Sequence, residues 1–121
     1  GEHNRINAAL AAAALRTAGL TEVEVRAGIE SFSGVEGRFQ PVREVDGVRI
    51  INDNNATTPA ATLAALNSVR AETTVLVMGG SDKGLDTHDL VENAKRCKAV
   101  VLIAGTGTDR IAHELPNAVF A

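Results

Sequence analysis

Twice in its second half, this chain runs a short unbroken apolar segment into a glycine-containing loop and then into a helix-forming segment. "TTVLVMGG" (73–80) precedes "SDKGLD" and "THDLVENAKRC", and "KAVVLIAG" (98–105) precedes "TGT" and "DRIAHEL". Continuous apolar runs of this length, alternating with helices, predict parallel strands covered on both faces and joined by right-handed crossovers. That topology gathers the strand-to-helix loops at the carboxyl edge of the sheet, where open α/β sheets bind ligands. An earlier run, "VRIIND", leads the same way through an Asn/Asp-rich turn into a helix from Pro59 to about Arg70. Three loops are therefore expected on one edge: 53–58, 79–85 and 105–108. "NAVFA" at the end reads as the start of one more strand, so the C-terminus is expected to be cut short.

The first third reads differently. Residues 4–18 form a helix of alanines and leucines stopped by Gly19. "TEVE" at Thr21 to Glu24 is a capping box that opens a second helix through about Phe32. "FSGVEGRF" has two glycines and no periodicity, which makes it a linker and puts a domain boundary at about Gly37. Beyond it, "FQPVREV" and "VRIIND" flank Asp46-Gly47, a strong hairpin signal, with Pro41 confining the first strand to an edge or an end.

Composition narrows the function classes. With 121 residues, 45% hydrophobic and 22% charged, the chain has enough core for a soluble globular domain. No apolar run approaches the roughly 18 residues that span a bilayer, and no signal peptide is visible, so a cytoplasmic location without membrane contact is expected. The first residue is Gly1 rather than Met, so a missing true N-terminus is expected as well. A net charge of −3 and aromatics of 2%, all Phe, argue against nucleic acid as a partner. His3, His88 and His113 have no metal-ligand spacing, and no metal site is expected here. Cys97, the single cysteine, excludes an internal disulfide; Lys95 and Arg96 beside it favour a thiolate, but its place at the end of an apolar helix reads as a small core residue.

Four stretches carry possible chemistry, each with a plainer reading. "NDNNATTP" (52–59) suits a strand-to-helix turn in which Thr58 caps the helix and Pro59 takes its first position. "GGSDKG" (79–84) lets backbone approach a ligand and offers Lys83 to an anion, or is a Gly-rich turn with a solvated lysine; it lacks the Walker A pattern. "GTGTDR" (105–110) has two glycines of a dinucleotide fingerprint but Arg110 where the third belongs, and close packing explains it equally well. Asn4 and Asn7, three apart on one helical face, can pair with a planar base or simply cap and solvate the helix. No nucleophile–base–acid set can be assembled, and Asp86 and Asp89 read as first-turn helix charges.

Together, "GEHNRINAALAAAA", "FSGVEGRF", "INDNNATTPAATLAAL" and "MGGSDKG" occur in the order and at the intervals of the Mur ligase family, which the chain resembles from residue 1 to about 105. The "NDxxATxP" form is most similar to the D-glutamate-adding branch. A folylpolyglutamate synthetase is less similar, because its counterpart of the Asp53 motif normally carries a His that is missing here. The resemblance implies an ATP-dependent, Mg2+-requiring ligase of peptidoglycan synthesis. Its substrates would be UDP-N-acetylmuramoyl-L-alanine and D-glutamate, joined through an acyl phosphate. Residues 1–36 would be the last helices of a central ATP-binding domain plus linker. Residues 37–121 would be a C-terminal, Rossmann-like, amino-acid-binding domain with a mainly parallel sheet. The P-loop and Mg2+ ligands would lie outside this stretch, which alone would be inactive. A small non-catalytic α/β nucleotide-binding module is the alternative.

Residue by residue, the resemblance implies that Asn4 and Asn7 contact adenine, Arg38 the ATP phosphates or ribose, and Asp53 the ribose. Thr57 and Lys83 would hold the incoming D-glutamate. A guanidinium is a fixed fork for phosphate oxygens, and an ammonium is a point charge for a carboxylate. Two positions depart from the branch's usual "NDSKATNP": Asn55 stands for its lysine and Thr58 for its asparagine.

Overall fold

The computed structural model describes residues 2–121, with side chains from residue 4 onward; the side chain of His3 lies outside the described residues. It comprises two compact units, 1–36 and 37–121.

The first unit is a helical hairpin of α1 (Glu2–Thr17) and α2 (Glu22–Glu30). Gly19, at φ +97°, ends α1: its N–H donates to the Arg16 carbonyl and that of Leu20 to the Leu15 carbonyl. This paired closure requires a left-handed residue, which glycine adopts without a Cβ penalty. The capping box forms as expected. The Thr21 hydroxyl accepts from the Glu24 N–H at 3.3 Å, and Glu24 Oε2 accepts from the Thr21 N–H at 2.8 Å. Ala12 and Val25 are buried, whereas Ile6, Leu10 and Phe32 stay exposed.

The second unit opens with an antiparallel hairpin, β1 (Gln40–Val45) and β2 (Val48–Asn52). Its turn is Asp46-Gly47, with φ of +49° and +76°, the mirror-image turn that matches strand twist. Register shifts between Pro41 and Arg43, where proline cannot donate to the ladder. There follow α3 (Pro59–Leu66), β3 (Val75–Gly79), α4 (His88–Ala94), β4 (Ala99–Ile103), α5 (Thr106–Ile111) and β5 (Val119–Phe120). Strands β3, β4 and β5 pair in that order, all parallel, from Val75 opposite Ala99 to Gly79 opposite Ile103. The Rossmann-like α/β class expected from the sequence is the one observed.

Three details differ from expectation. Helix α3 ends at Leu66 rather than near Arg70: beyond it the backbone tightens, the Ser68 N–H donating to the Ala65 carbonyl and the Val69 N–H to the Leu66 carbonyl, and a 3-10 turn follows at Ala71–Thr73. Helix α5 begins at Thr106, so most of the expected 105–108 loop is already its first turn. Among the described residues, the parallel sheet is covered on one face. Val91, Ala94, Val100, Leu102, Ile111 and Leu115 form the core there, joined by Leu76 and Met78. The alternate residues Val75, Val77 and Ile103 remain exposed. The sequence periodicity did not reveal this, since an unbroken apolar run looks the same whether one face or both are covered. Full burial of a side chain such as Leu102 or Val91 is worth roughly 1.5–3 kcal/mol, so this one-sided core is what sets the sheet.

Candidate functional site

The linker that ends at Phe39 is stapled to the Asn/Asp turn. Gly37 donates its N–H to Gln40 Oε1 at 3.0 Å and accepts at its carbonyl from the Asn55 N–H at 3.0 Å. The Phe39 N–H donates to Asp53 Oδ1 at 2.8 Å. Gly37 is buried at φ +71°, and a Cβ there would collide with the side chains of Asn54 and Asn55. Phe39 is also left-handed, at φ +46°. Arg38 stands between these two constrained residues. Its side chain is exposed and makes no ion pair among the described residues. A charged fork on a pinned backbone is suited to an anion.

Within the turn, the polar residues divide their work. Asn52 Oδ1 accepts from the Asn54 N–H at 3.1 Å, and the Asp53 carbonyl accepts from Ala56 at 2.8 Å. The Thr58 hydroxyl caps α3 by accepting from Ala61, and Pro59 is the helix's first residue. The plain reading of Asn52, Thr58 and Pro59 therefore holds. Asp53 is half-buried and uses Oδ1 on Phe39, which leaves its second oxygen for a hydroxyl donor. Thr57, four residues on, is exposed.

A second cluster joins the loops after β3 and β4. The Gly107 N–H donates to the Gly80 carbonyl at 2.9 Å, and a Cβ at Gly105 would strike that same carbonyl. The glycines of "GTGTDR" thus serve loop-to-loop packing, the plainer of the two readings. Beneath them, the buried Thr108 hydroxyl donates to the Ile103 carbonyl at 2.5 Å. The Asp82 N–H donates to Thr106 Oγ1 at 2.9 Å, and Asp82 Oδ1 accepts from the Gly84 N–H at 2.9 Å. Arg110 Nη1 donates to the same Asp82 oxygen and to the Leu85 carbonyl, each at 3.0 Å. The Gly84 N–H, and then Arg110, hold the Asp82 carboxyl below its ordinary range. Lys83 is exposed at the crest of this loop, with no ion-pair partner among the described residues. Asp86 accepts from the His88 N–H at 2.9 Å, consistent with a charge at the start of α4.

Of the three loops expected to meet, these last two are brought together. The 53–58 turn follows β2, which pairs with β1 and not with the parallel sheet. Asn4 and Asn7 are both exposed on α1 in the first unit. Sequence reasoning missed Gln40, Asp82, Thr106 and Arg110. Of these, only Asp82 carried a signal, an Asx turn in the spacing of Asp82 and Gly84. Among the described residues, no three His, Cys, Asp or Glu side chains group to hold a metal, and no helix is long and apolar enough to cross a membrane.

Residues 37–120 match the family described as "Mur ligase, glutamate ligase domain". The chain belongs to the Mur ligase family. It is 45% identical over 95% of its length to the UDP-N-acetylmuramoylalanine--D-glutamate ligase of Roseiflexus sp. (strain RS-1), covering 25% of that protein. It is 41% identical over 88% of its length to the enzyme of the same name from Geobacillus kaustophilus (strain HTA426), covering 24%. It is also 36% identical over 92% of its length to the UDP-N-acetylmuramoyl-L-alanine--L-glutamate ligase of Xanthomonas euvesicatoria pv. vesicatoria (strain 85-10), again covering 24%. The chain thus spans about a quarter of the length of these curated relatives. The Mur ligase match coincides with the second unit, which carries Arg38, Asp53, Thr57 and Lys83.

Proposed function

We propose that this chain is the C-terminal portion of an ATP-dependent ligase that adds D-glutamate to UDP-N-acetylmuramoyl-L-alanine in cytoplasmic peptidoglycan synthesis. The support is the match over 37–120 together with the staple that fixes Arg38 beside Asp53. Residues 1–36 are then the last helices of the ATP-binding domain, and 37–121 the domain that presents the amino acid. Asn4 and Asn7 meet adenine, Arg38 the phosphates and Asp53 the ribose, through the oxygen that Phe39 leaves free. Thr57 and Lys83 hold the glutamate carboxylates.

The reaction activates the UDP-linked carboxylate as an acyl phosphate, which the glutamate amine attacks to give a tetrahedral intermediate that expels phosphate. Charge builds up on oxygen at both stages, and fixed cations stabilise it best when domain closure excludes water. Arg38 and Lys83 fit that need, each being charged, exposed and unpaired among the described residues. Mg2+ when bound neutralises phosphate charge, and its ligands lie outside this stretch. The 121 residues alone therefore turn over no ATP.

L-Glutamate is the second reading for the amino acid. It is favoured by the name of the Xanthomonas relative and by Asn55 standing where the D-glutamate branch has lysine. The test is phosphate release by the full-length protein with ATP, UDP-N-acetylmuramoyl-L-alanine and either glutamate enantiomer. Turnover with D-glutamate alone supports the first reading, and turnover with L-glutamate alone replaces it with the second. Absence of glutamate-dependent phosphate release with either sinks both.

A further inference from the structure

We infer that Arg110 is a positioning residue for Lys83, setting the loop that offers this lysine to the substrate carboxylate. The inference rests on the ligase reading for the identity of that carboxylate, but the loop geometry stands by itself. Lys83 lies on a segment that contains two left-handed glycines, Gly80 at φ +121° and Gly84 at φ +66°. Such a segment has many conformations open to it, and fixing one requires contacts from outside. Here they come from α5. Thr106 takes the Asp82 N–H, and Arg110 reaches Asp82 Oδ1 on one side of Lys83 and the Leu85 carbonyl on the other. The same Asp82 oxygen closes the turn over Lys83 by accepting from Gly84. One guanidinium nitrogen thus brackets the lysine.

Electrostatics add a second role. The Asp82 carboxylate is adjacent to Lys83 in sequence, where it would compete for the ammonium and repel an acidic substrate. Arg110 occupies it at 3.0 Å. The plainer alternative is an ordinary surface ion pair, since the two side chains are 42% and 36% exposed and such pairs add little stability. That weakness is what makes the two readings separable: a surface pair moves nothing when removed, whereas a positioning pair moves Lys83.

The test uses the full-length protein and the variants Arg110→Ala, Arg110→Lys, Lys83→Met and the Arg110→Ala/Lys83→Met double. Amide exchange needs no turnover. In Arg110→Ala, residues 81–85 should exchange at least tenfold faster, while 99–103 in β4 stay protected. In kinetics, Arg110→Ala should raise KM for glutamate about tenfold and leave KM for ATP within about twofold. Arg110→Lys should recover part of the loss, because an ammonium can still neutralise Asp82. Adding Arg110→Ala to Lys83→Met should cost nothing further, since one acts through the other. Unchanged loop exchange in a folded Arg110→Ala, or full additivity of the two losses, would overturn the inference. A protein with no glutamate-dependent turnover at all would overturn the ligase reading instead, and the exchange experiment would still decide whether Arg110 holds the loop.

Discussion

The Phe39 N–H and Asp53 Oδ1 are 2.8 Å apart across 14 residues of sequence, and the Asn55 N–H closes a second bond to the Gly37 carbonyl. The end of the linker and the Asn/Asp turn are therefore one structural piece. Arg38 is carried between the two bonds, so anything that displaces the turn displaces the guanidinium as well.

Asp53→Ala removes the acceptor for Phe39 and should lower unfolding stability by about 1 kcal/mol, the usual net worth of such a bond. Asp53→Asn keeps an oxygen acceptor and should lose less than half of that. Urea denaturation of the two variants measures the difference. Equal losses would mean that the carboxylate charge, rather than the bond, supports the linker.

Gly37→Ala should be more damaging than the same change at left-handed glycines with open space around them, such as Gly19 and Gly34. The new Cβ meets Asn54 and Asn55, and φ +71° is unfavourable for alanine. A loss of roughly 1–3 kcal/mol is expected from the strained backbone alone. Gly19→Ala, also left-handed but with open space around it, should cost about 1 kcal/mol. Thermal melts of both variants rank them, and a smaller shift for Gly37→Ala would contradict the staple.

Cys97 should behave as a half-buried thiol. Burial pushes its pKa up more strongly than Arg96 pulls it down, so the expectation of a thiolate drawn from its basic neighbours is reversed here. A thiol pKa raised in the folded state means that the folded form is favoured below the ordinary thiol pKa. That advantage fades as pH rises through the raised value. Native protein should therefore react with a maleimide at pH 7 at least tenfold more slowly than the urea-unfolded chain. Equal rates would place the sulfur in solvent.

Glu24 gives a pH signature in the first unit. Its bonds from the Thr21 hydroxyl and then the Thr21 backbone hold its carboxyl below the ordinary carboxylate range. A lowered folded pKa contributes stability above the unfolded value, and that contribution disappears as pH falls through the folded value. Helicity of residues 22–30 should drop on acidification, and Glu24→Gln should flatten the dependence. A pH-independent helix would show that the capping box does not hold α2 in solution.

Much of the second unit was legible because its signals are local. Asp46-Gly47 specifies its turn by the φ values that only a few residues tolerate, and "VLVMG" and "VVLI" are short and rich in β-branched residues, which marks them as strands. The capping box at Thr21 is likewise a contact between near neighbours. What escaped depends on pairs that are distant in sequence. Nothing in "GTGTDR" indicates that Arg110 spans 28 residues to Asp82, so the arginine looked only like a missing third glycine. Asp53 could be placed in a ligand turn, but its bond to Phe39 required knowing that the linker folds back. The open face of the sheet escaped for another reason, since continuous hydrophobicity does not say what lies on either side.

The parallel pairing of Val75 with Ala99 imposes an order of events during synthesis. The β1–β2 hairpin can close as soon as it leaves the ribosome, because its partners are separated by a two-residue turn. Strand β3 must wait for about 24 further residues, including all of α4, before its first partner exists. At the usual elongation rates of about 5–20 residues per second, this wait lasts roughly one to five seconds. For that time "VLVMG" is an unpaired apolar strand, and a nascent chain that has emerged from the ribosome only as far as about residue 95 should be the species most readily captured by chaperones.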